Sequence, residues 1–285
     1  MKGLRKGRDP SFPALVPLFC NALLLPVFDL AHALDHSGEG CQGYAAMRAG
    51  YAKMRHRIPA SAVNLVALET STEYCSLAVS RGARVFERSF HAGQRHSELA
   101  LPALRGLLQQ AALDMRAIEG IAYGAGPGSF TGLRIACGIA QGLALARNLP
   151  LAGIGTLLAL AEDCSADKVI ACLDARMGEV YHAAYRKSGG KWIEMHAPAL
   201  YQPHGVPQVE GRDWVGCGSG FRVHRAALAQ CYGGKISRTD VGAIPNAAAM
   251  LRLAQPVFAA GQGVDAAAAV PLYVRDKVAL KSSER

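Results

Sequence analysis

The spacing of strand-like runs after residue 63 constrains the fold of this 285-residue chain more than any other feature. Three β-rich runs, at 64–70, 75–80 and 84–90, are joined by short polar turns, and a helical pattern over 96–114 follows them. Turns this short connect antiparallel neighbours, because a parallel crossover needs a dozen or more residues. The sequence therefore predicts an antiparallel meander of three strands that is followed by a helix.

The same order of elements then continues and starts again. The first half goes on with a strand, a helix, a strand and a short helix at 118–126, 131–148, 149–155 and 156–163. After Ser165 the second half shows three strand-like runs and a helix at 167–175, 180–187, 213–221 and 247–261. Hairpins followed by helices, twice over, predict two α/β lobes of related plan.

The first 63 residues differ in character from the rest of the chain. They begin with the basic run MKGLRKGRDP, continue with an apolar stretch interrupted by prolines, and reach a small-residue site at Ala31–Ala33. This order is that of a signal peptide, although prolines disrupt the helix that such a segment needs. Three interpretations stay open: a start codon assigned too early, with Met47 or Met54 nearer the true beginning; a disordered native extension; or a genuine signal.

Composition excludes several classes of protein. With 51% hydrophobic and 19% charged residues, the chain has enough apolar side chains for a folded core. The eight cysteines form no CxxC pair, and Cys137 and Cys172 lie in apolar patterns, so we expect buried free thiols rather than disulfides or a zinc site. The net charge of +9 permits contact with nucleic acid, but no basic stripe interleaved with aromatics argues for it. No uninterrupted apolar run reaches the roughly 18 residues of a membrane span.

A glycine-rich loop, GAGPGSFTGLR at 124–134, joins a strand to an apolar helix. It contains no lysine for a Walker A loop, and Ser129 stands where a Rossmann fingerprint needs its third glycine. Gly126, Gly128 and the hydroxyls of Ser129 and Thr131 would still place backbone amides at a helix N-terminus, which favours an anion. A phosphate cradle and a tight strand-to-helix connection both remain open.

The first turn carries a second candidate group of residues. Glu69, Thr70 and Ser71 put a carboxylate and two hydroxyls at the end of a strand, an arrangement similar to the one with which actin-like ATPases hold metal and phosphate. In that superfamily the turn usually contains a glycine, but here none occurs before Gly82. A turn without glycine brings its backbone less easily against a phosphate. We therefore interpret the phosphate site as degenerate.

Five segments between residues 64 and 282 resemble one family in order and spacing. They are NLVALETSTEYCSLAV, HSELALPAL, IAYGAGPGSFTGLRIACGIAQGLALA, LDARMGEVYHAAY and PLYVRDKVA. Together they are similar to the TsaB (YeaZ) branch of the glycoprotease-like family. The resemblance implies an actin-like ATPase (ASKHA, ribonuclease H-like) α/β fold with lobes at 64–165 and 166–262, the first carrying the partner-binding helices. It also implies that 263–285 returns to the first lobe.

The resemblance separates two kinds of family member. The catalytic kind, TsaD, carries an HxxxH metal motif after the strand that follows its glycine-loop helix, whereas the matching stretch here, Leu151–Asp163, contains no histidine. Two imidazoles one helical turn apart would be needed to hold the metal. His91 and His96 lie on different sides of a helix boundary, and we interpret them as surface or capping residues. The chain thus departs from the catalytic member where its chemistry would take place.

The resemblance implies a function and a set of partners. The chain would be a non-catalytic cytoplasmic subunit that binds and activates TsaD, together with the ATPase TsaE, for synthesis of threonylcarbamoyladenosine at position 37 of tRNA. Any ATP and metal would belong to the partner subunits, with no metal or cofactor held by this chain alone, no membrane contact, and tRNA reached only through the complex. The alternatives are a free-standing ATPase or small-molecule kinase, a glycopeptidase, and a homodimer formed through the same helices.

Two helices are the candidates for the partner interface. On the helix over 99–112 the apolar and small residues cover an arc of roughly 180°, more than a helix needs to lie on its own core. The helix that starts near Leu133 is apolar or small nearly all round, which is also typical of a core helix covered on two sides. The predicted interface residues are Leu101, Leu104, Leu107, Leu108, Ala111, Ile135, Ile139 and Leu143.

The run LDARMGEVY contains a polar hairpin of unassigned role. Asp174, Arg176 and Glu179 flank a tight turn, where Arg176 is able to pair with either carboxylate. An exposed hairpin salt bridge would contribute little to stability. A polar contact at the cleft between the lobes, or with a partner, is the functional alternative, and the sequence does not separate the two.

Overall fold

The computed structural model describes residues 63–275, and the predictions for 1–62 and 276–285 lie outside this part of the chain. Its first half alternates strands and helices in the predicted order. In chain order these elements are β1 (Leu65–Glu69), β2 (Tyr74–Arg81), β3 (Arg84–His91), α1 (His96–Gln110), β4 (Gly120–Gly126), α2 (Phe130–Arg147), β5 (Leu151–Gly155) and α3 (Thr156–Asp163).

The second half contains a further set of strands and three more α-helices. They are β6 (Lys168–Asp174), β7 (Val180–Ser188), β8 (Lys191–Tyr201), β9 (Trp214–Cys217), α4 (Ser219–Val223), α5 (Arg225–Tyr232), β10 (Ile236–Asp240) and α6 (Ala247–Ala259). Single 3-10 turns lie at Met115–Ala117, Gly233–Lys235 and Ala266–Ala268. Within residues 63–275, no helix is long and apolar enough to cross a membrane.

The ten strands form two five-stranded sheets of the same plan. The strand order is β3-β2-β1-β4-β5 in the first lobe and β8-β7-β6-β9-β10 in the second. In the first sheet the central strand β1 pairs antiparallel with β2 and parallel with β4. In the second sheet β6 pairs in the same way, antiparallel with β7 and parallel with β9. This repetition confirms the prediction of two related α/β lobes.

The sequence of strand β1 is a nearly continuous apolar run because both faces of the first sheet are covered. Val66 and Leu68 pack into the cluster that contains α1 and α2, whereas Leu65 and Ala67 pack with α6 on the opposite face. Side chains of a strand alternate between its two faces, and helices cover both faces here. The run LVALE is therefore buried at every position.

Helix α6 belongs to the first lobe, although the predicted span 166–262 placed it in the second. Met250, Leu251 and Phe258 share a core cluster with Leu65, and the Ala247 amide donates to Ser76 Oγ at 2.9 Å. The helical period of this segment shows which face is apolar but not which sheet it will cover. The first lobe is consequently built from two separate stretches of the chain.

Several elements of the second lobe were not predicted, namely β8, α4, α5 and β10. Phe221, Leu228 and Tyr232 of α4 and α5 pack against Ile170 and Cys172 on one face of β6. Helix α3 covers the other face with residues that include Leu160.

Cysteine usage follows the prediction. In the part of the chain that the structure describes, Cys75, Cys137, Cys164, Cys172 and Cys217 are free thiols buried in the cores. Cys231, which is half-buried, is also a free thiol.

Candidate functional site between the lobes

A cleft of about 760 Å³ lies between the two sheets. Its walls are the β1–β2 turn, the glycine loop at the start of α2, the β6–β7 turn, α4 and the residues that end the described chain. Strands β1 and β6 both end at this cleft, so the topology brings the predicted turn residues of the two lobes to one place.

The glycines of the loop are required by close packing against the first turn. A Cβ atom on Gly128 would lie 2.6 Å from Ser71 Cβ, and one on Gly132 would overlap the carbonyl oxygen of Thr70. Gly126 has φ +116°, and a Cβ there would lie 2.6 Å from the Leu272 carbonyl oxygen. Only glycine fits these positions, because a side chain would meet backbone atoms that have no room to move.

Hydrogen bonds tie the same two segments together. The Ser129 amide donates to the Ser71 carbonyl at 2.7 Å, and Thr70 Oγ1 donates to the Gly132 carbonyl at 2.7 Å. Ser129 also caps α2, with its Oγ accepting from the Gly132 amide at 3.4 Å, while Thr131 is exposed. The polar groups of the loop are thus directed largely to the first turn.

Glu69 is sealed beneath this turn. Its side chain is 1% exposed, Oε1 accepts from the Ser71 amide at 2.5 Å, and a Cβ on Gly124 would overlap the carboxylate. Burial raises the pKa of Glu69, and the hydrogen bond from the Ser71 amide opposes that rise. Among the described residues, Oε2 has no hydrogen-bond partner, and neither do the buried hydroxyls of Ser71 and Thr156.

These contacts occupy two amides and a carboxylate that a phosphate or metal at the first turn would otherwise use. A phosphate site needs free amides, but the Ser71 amide points to Glu69 and the Ser129 amide to the Ser71 carbonyl. A metal would need a carboxylate that reaches the cleft, whereas Glu69 is covered. Of the two alternatives for the glycine loop, the geometry favours a tight strand-to-helix connection.

The polar hairpin combines the two sequence alternatives, an exposed hairpin salt bridge and polar contacts at the cleft between the lobes. Asp174 Oδ1 lies 3.3 Å from His224 Nε2, and Arg176 Nη1 reaches Asp174 Oδ2 at only 3.6 Å with an 81% exposed side chain. Glu179 pairs instead with Arg275, 2.7 Å away. His224 and Arg275 were not predicted as partners of the hairpin, and only Arg275 had a signal in the sequence, its place in the segment PLYVRDKVA.

The predicted interface residues fall into two groups. Leu104, Leu107, Leu108 and Ala111 are buried against the sheet of their own lobe, at 1–6% exposure, which corrects their assignment as contact residues because their faces are already covered. Leu101, Ile135, Ile139 and Leu143 are half-buried on α1 and α2. Contact of this second group with a partner stays a prediction.

The two histidines near α1 are placed differently from one another. His91 is exposed, but His96 is 5% exposed with its Nε2 at 3.2 Å from the Tyr74 carbonyl, so the surface interpretation was wrong for His96. Between residues 63 and 275, no group of three or more His, Cys, Asp or Glu side chains is arranged to hold a metal.

The two sheets of one plan and the cleft between them define an actin-like ATPase-type fold, here with a closed first turn. A family model described as "TsaD: tRNA N6-adenosine threonylcarbamoyltransferase" matches residues 90–281. The chain is 36% identical over 227 residues to the tRNA threonylcarbamoyladenosine biosynthesis protein TsaB of Escherichia coli, covering 77% of this chain and 97% of the relative. The protein of that name from Haemophilus influenzae is 34% identical over 233 residues, covering 77% and 96%.

A solved structure gives the same result. YeaZ from Pseudomonas aeruginosa has a TM-score of 0.69 at 35% identity, covering 74% of this chain and 99% of that one. The chain therefore belongs to the TsaB (YeaZ) family, and the resemblance seen in the sequence is confirmed.

Proposed function

We propose that the chain acts in the synthesis of threonylcarbamoyladenosine in tRNA as a subunit without an active centre of its own. It would bind the threonylcarbamoyltransferase TsaD and hold it in an active arrangement, with TsaE joining the assembly. ATP and metal would be held by those partner subunits, and tRNA would be reached through the complex.

The observation that carries the proposal is the closed first turn. Glu69 is covered, and the Ser71 and Ser129 amides are used within the lobe, so these three groups do not reach a phosphate or metal in the cleft. The stretch Leu151–Asp163 also lacks the paired histidines of the catalytic family members. A family relative without these groups is best suited to support a catalytic partner.

The exposed parts of α1 and α2 supply the proposed contact surface. Leu101, Ile135, Ile139 and Leu143 are half-buried, and Ile139 and Leu143 pack beside the core that the deeper leucines fill. An apolar face that its own lobe leaves partly uncovered is typical of a surface that a partner completes. A homodimer would use the same surface.

The test begins with co-purification of the chain and TsaD from its own organism. The purified components are then assayed for tRNA modification, with each component omitted in turn. We expect a stable complex, and modification that is lost when this chain is left out. ATP hydrolysis by the chain alone, or full modification without it, would contradict the proposal and favour the free-standing enzyme.

The contact surface is tested by a matched pair of substitutions on α2. Ile139→Asp places a charge in the proposed interface, and Leu145→Asp places the same charge on the same helix at a leucine that is 71% exposed. We expect Ile139→Asp to weaken binding to TsaD about tenfold or more and Leu145→Asp to leave binding unchanged. Circular dichroism establishes that both variants are folded, and equal binding by the two would reject this surface.

A further inference from the structure

The residues after α6, 264–275, run across the first lobe and end on the second. We call this segment the strap. It begins beside β5, where Val264 and Leu151 exchange two backbone hydrogen bonds of 2.8 and 2.9 Å. Gln141 Nε2 of α2 then donates to the carbonyls of Ala266 and Ala269 at 3.1 and 2.9 Å. The strap is thus anchored to the edge strand and a long helix of the first lobe.

The middle of the strap is fixed to the glycine loop. The Leu272 amide donates to the Ala125 carbonyl at 2.6 Å, and Tyr123 Oη donates to the Val270 carbonyl at 3.2 Å. Tyr273 packs on Phe130 with ring centroids 4.7 Å apart and accepts from Arg134 Nε at 3.1 Å. Leu272 and Tyr273 also line the cleft, so the strap forms part of its wall.

The last described residue of the strap holds the second lobe. Arg275 Nη2 donates to Glu179 Oε2 at 2.7 Å and to the Ala175 carbonyl at 3.0 Å, and Nη1 lies 3.0 Å from Met177 Sδ. The side chains of Arg275 and Glu179 are only 12% and 25% exposed. A charge-assisted pair with this much burial is stronger than the exposed pairs of the surface.

The turn that receives Arg275 is closed by two backbone hydrogen bonds of its own, from the Ala175 amide to the Glu179 carbonyl at 2.9 Å and from the Glu179 amide to the Arg176 carbonyl at 3.0 Å. Arg176, Met177 and Gly178 all have positive φ, at 63°, 54° and 75°, a conformation that is costly for the two non-glycine residues. Its own ion pair, Arg176 with Asp174, is long and exposed. An external guanidinium bound to the Ala175 carbonyl and Glu179 therefore contributes most of the polar contacts that fix the turn from outside.

We propose that the strap fixes the orientation of the two lobes and the width of the cleft, with the Arg275–Glu179 pair as its attachment to the second lobe. The chain crosses between the sheets at α3 and again between β10 and α6. Near these crossings Arg252 of α6 pairs with Glu162 and Asp163 of α3. The strap adds a separate attachment at the β6–β7 turn, in the wall of the cleft, and this attachment restricts rotation of one lobe against the other.

This inference does not rest on the proposed function, because it concerns the chain without partners. The experiment exchanges the charges of the pair. Arg275→Glu, Glu179→Arg and the double exchange are compared by hydrogen exchange of residues 175–180 and by small-angle X-ray scattering. Arg176→Glu, in the same turn, is the matched control.

Each single charge reversal places like charges together. We therefore expect amide hydrogen exchange in the turn to become about tenfold faster and the scattering curve to show a broader range of lobe orientations. The double exchange should restore both readouts, while Arg176→Glu should leave them unchanged. If a reversed charge prevents folding, Arg275→Gln removes the charge alone and should still accelerate exchange. The proposal would be overturned if the folded single variants kept the hydrogen-exchange rates and scattering of the wild type. It would also be overturned if the double charge reversal did not restore both readouts.

Discussion

Glu69 ends β1 in the first lobe and Asp174 ends β6 in the second, so the two carboxylates occupy matching positions in sheets of the same strand order. Glu69 is 1% exposed and bonds the turn that follows it. The Asp174 side chain is 14% exposed, lines the cleft and pairs with His224 at 3.3 Å. One fold plan therefore supports a closed strand end in one lobe and an open one in the other.

The turns after these two carboxylates also differ in backbone conformation and in what holds them. The first turn has no residue with positive φ between 70 and 73 and is held by the glycine loop of its own lobe. The second has three consecutive residues with positive φ and is held by Arg275 from the strap. The first turn is thus closed by packing within its own lobe, whereas the second turn combines its own backbone hydrogen bonds with a contact from the strap.

The largest expected effect tests the internal closure of the first lobe. Gly132→Ala on α2 would drive a Cβ into the Thr70 carbonyl, and we expect it to lower the free energy of unfolding by about 3 kcal/mol. Gly142→Ala on the same helix meets no atom within 4 Å and should raise stability by about 0.5–1 kcal/mol. Urea denaturation followed by circular dichroism measures both. Equal stability of the two variants would break the account of the closed turn.

The second expected effect lies in the core of the second lobe. His182 is buried and bonds Tyr232 Oη at 2.6 Å, and burial lowers the pKa of His182 to about 3. As pH falls below 6.5 this histidine gains a proton in the unfolded chain, but the folded chain does not take that proton until about pH 3. The contribution of neutral His182 to the free energy of unfolding is therefore complete above pH 6.5 and is lost on acidification. The loss should reach about 2 kcal/mol at pH 5, at roughly 1.4 kcal/mol per pH unit.

His182→Gln removes this titration and should flatten the dependence of the free energy of unfolding on pH between 6.5 and 5. Urea titrations at several pH values measure the slopes. An unchanged slope in His182→Gln would exclude this histidine as the source.

Glu69 should give the first lobe the opposite dependence on pH. Because burial raises the pKa of Glu69, the folded chain keeps a proton that the unfolded chain releases above its ordinary value of 4.5. Stability contributed by the protonated carboxyl is therefore lost as pH rises from 4.5 towards the raised value, by less than about 1.4 kcal/mol per pH unit. The free energy of unfolding of Glu69→Gln should rise relative to that of the wild type as pH rises. Asp174→Asn is the matched control in the other lobe. A constant difference between Glu69→Gln and wild type would contradict the burial argument.

Much of the first lobe could be predicted from the sequence because its contacts are local. Short turns defined the meander, and the glycine loop lies between a strand and a helix that are both strongly patterned. That Glu69 would be covered could not be predicted, since part of the cover comes from Gly124 on the neighbouring strand β4, which is distant in sequence. A motif gives the residue types of a site but not their exposure.

The second lobe and the strap depend on long-range pairing. Strand β8 carries Pro198 and has no clean alternation, and its pairing with β7 defines it. The contact of Arg275 with Glu179 spans 96 positions, and nothing local in either segment indicates it. The sequence therefore predicted the hairpin residues and left Arg176 able to pair with either carboxylate; in the structure Arg176 pairs with Asp174, and Arg275 pairs with Glu179.

The smallest expected effect decides whether the second turn holds itself. Arg176 is 81% exposed and lies 3.6 Å from Asp174, so Arg176→Ala should change the free energy of unfolding by less than about 0.5 kcal/mol. Asp174 keeps His224 as its partner in this variant, so no buried charge is left alone. Chemical denaturation compares it with Arg275→Ala, which leaves Glu179 without its guanidinium and should cost distinctly more. If Arg176→Ala proves as costly as Arg275→Ala, the turn is held by its own ion pair and the contrast between the two lobes fails.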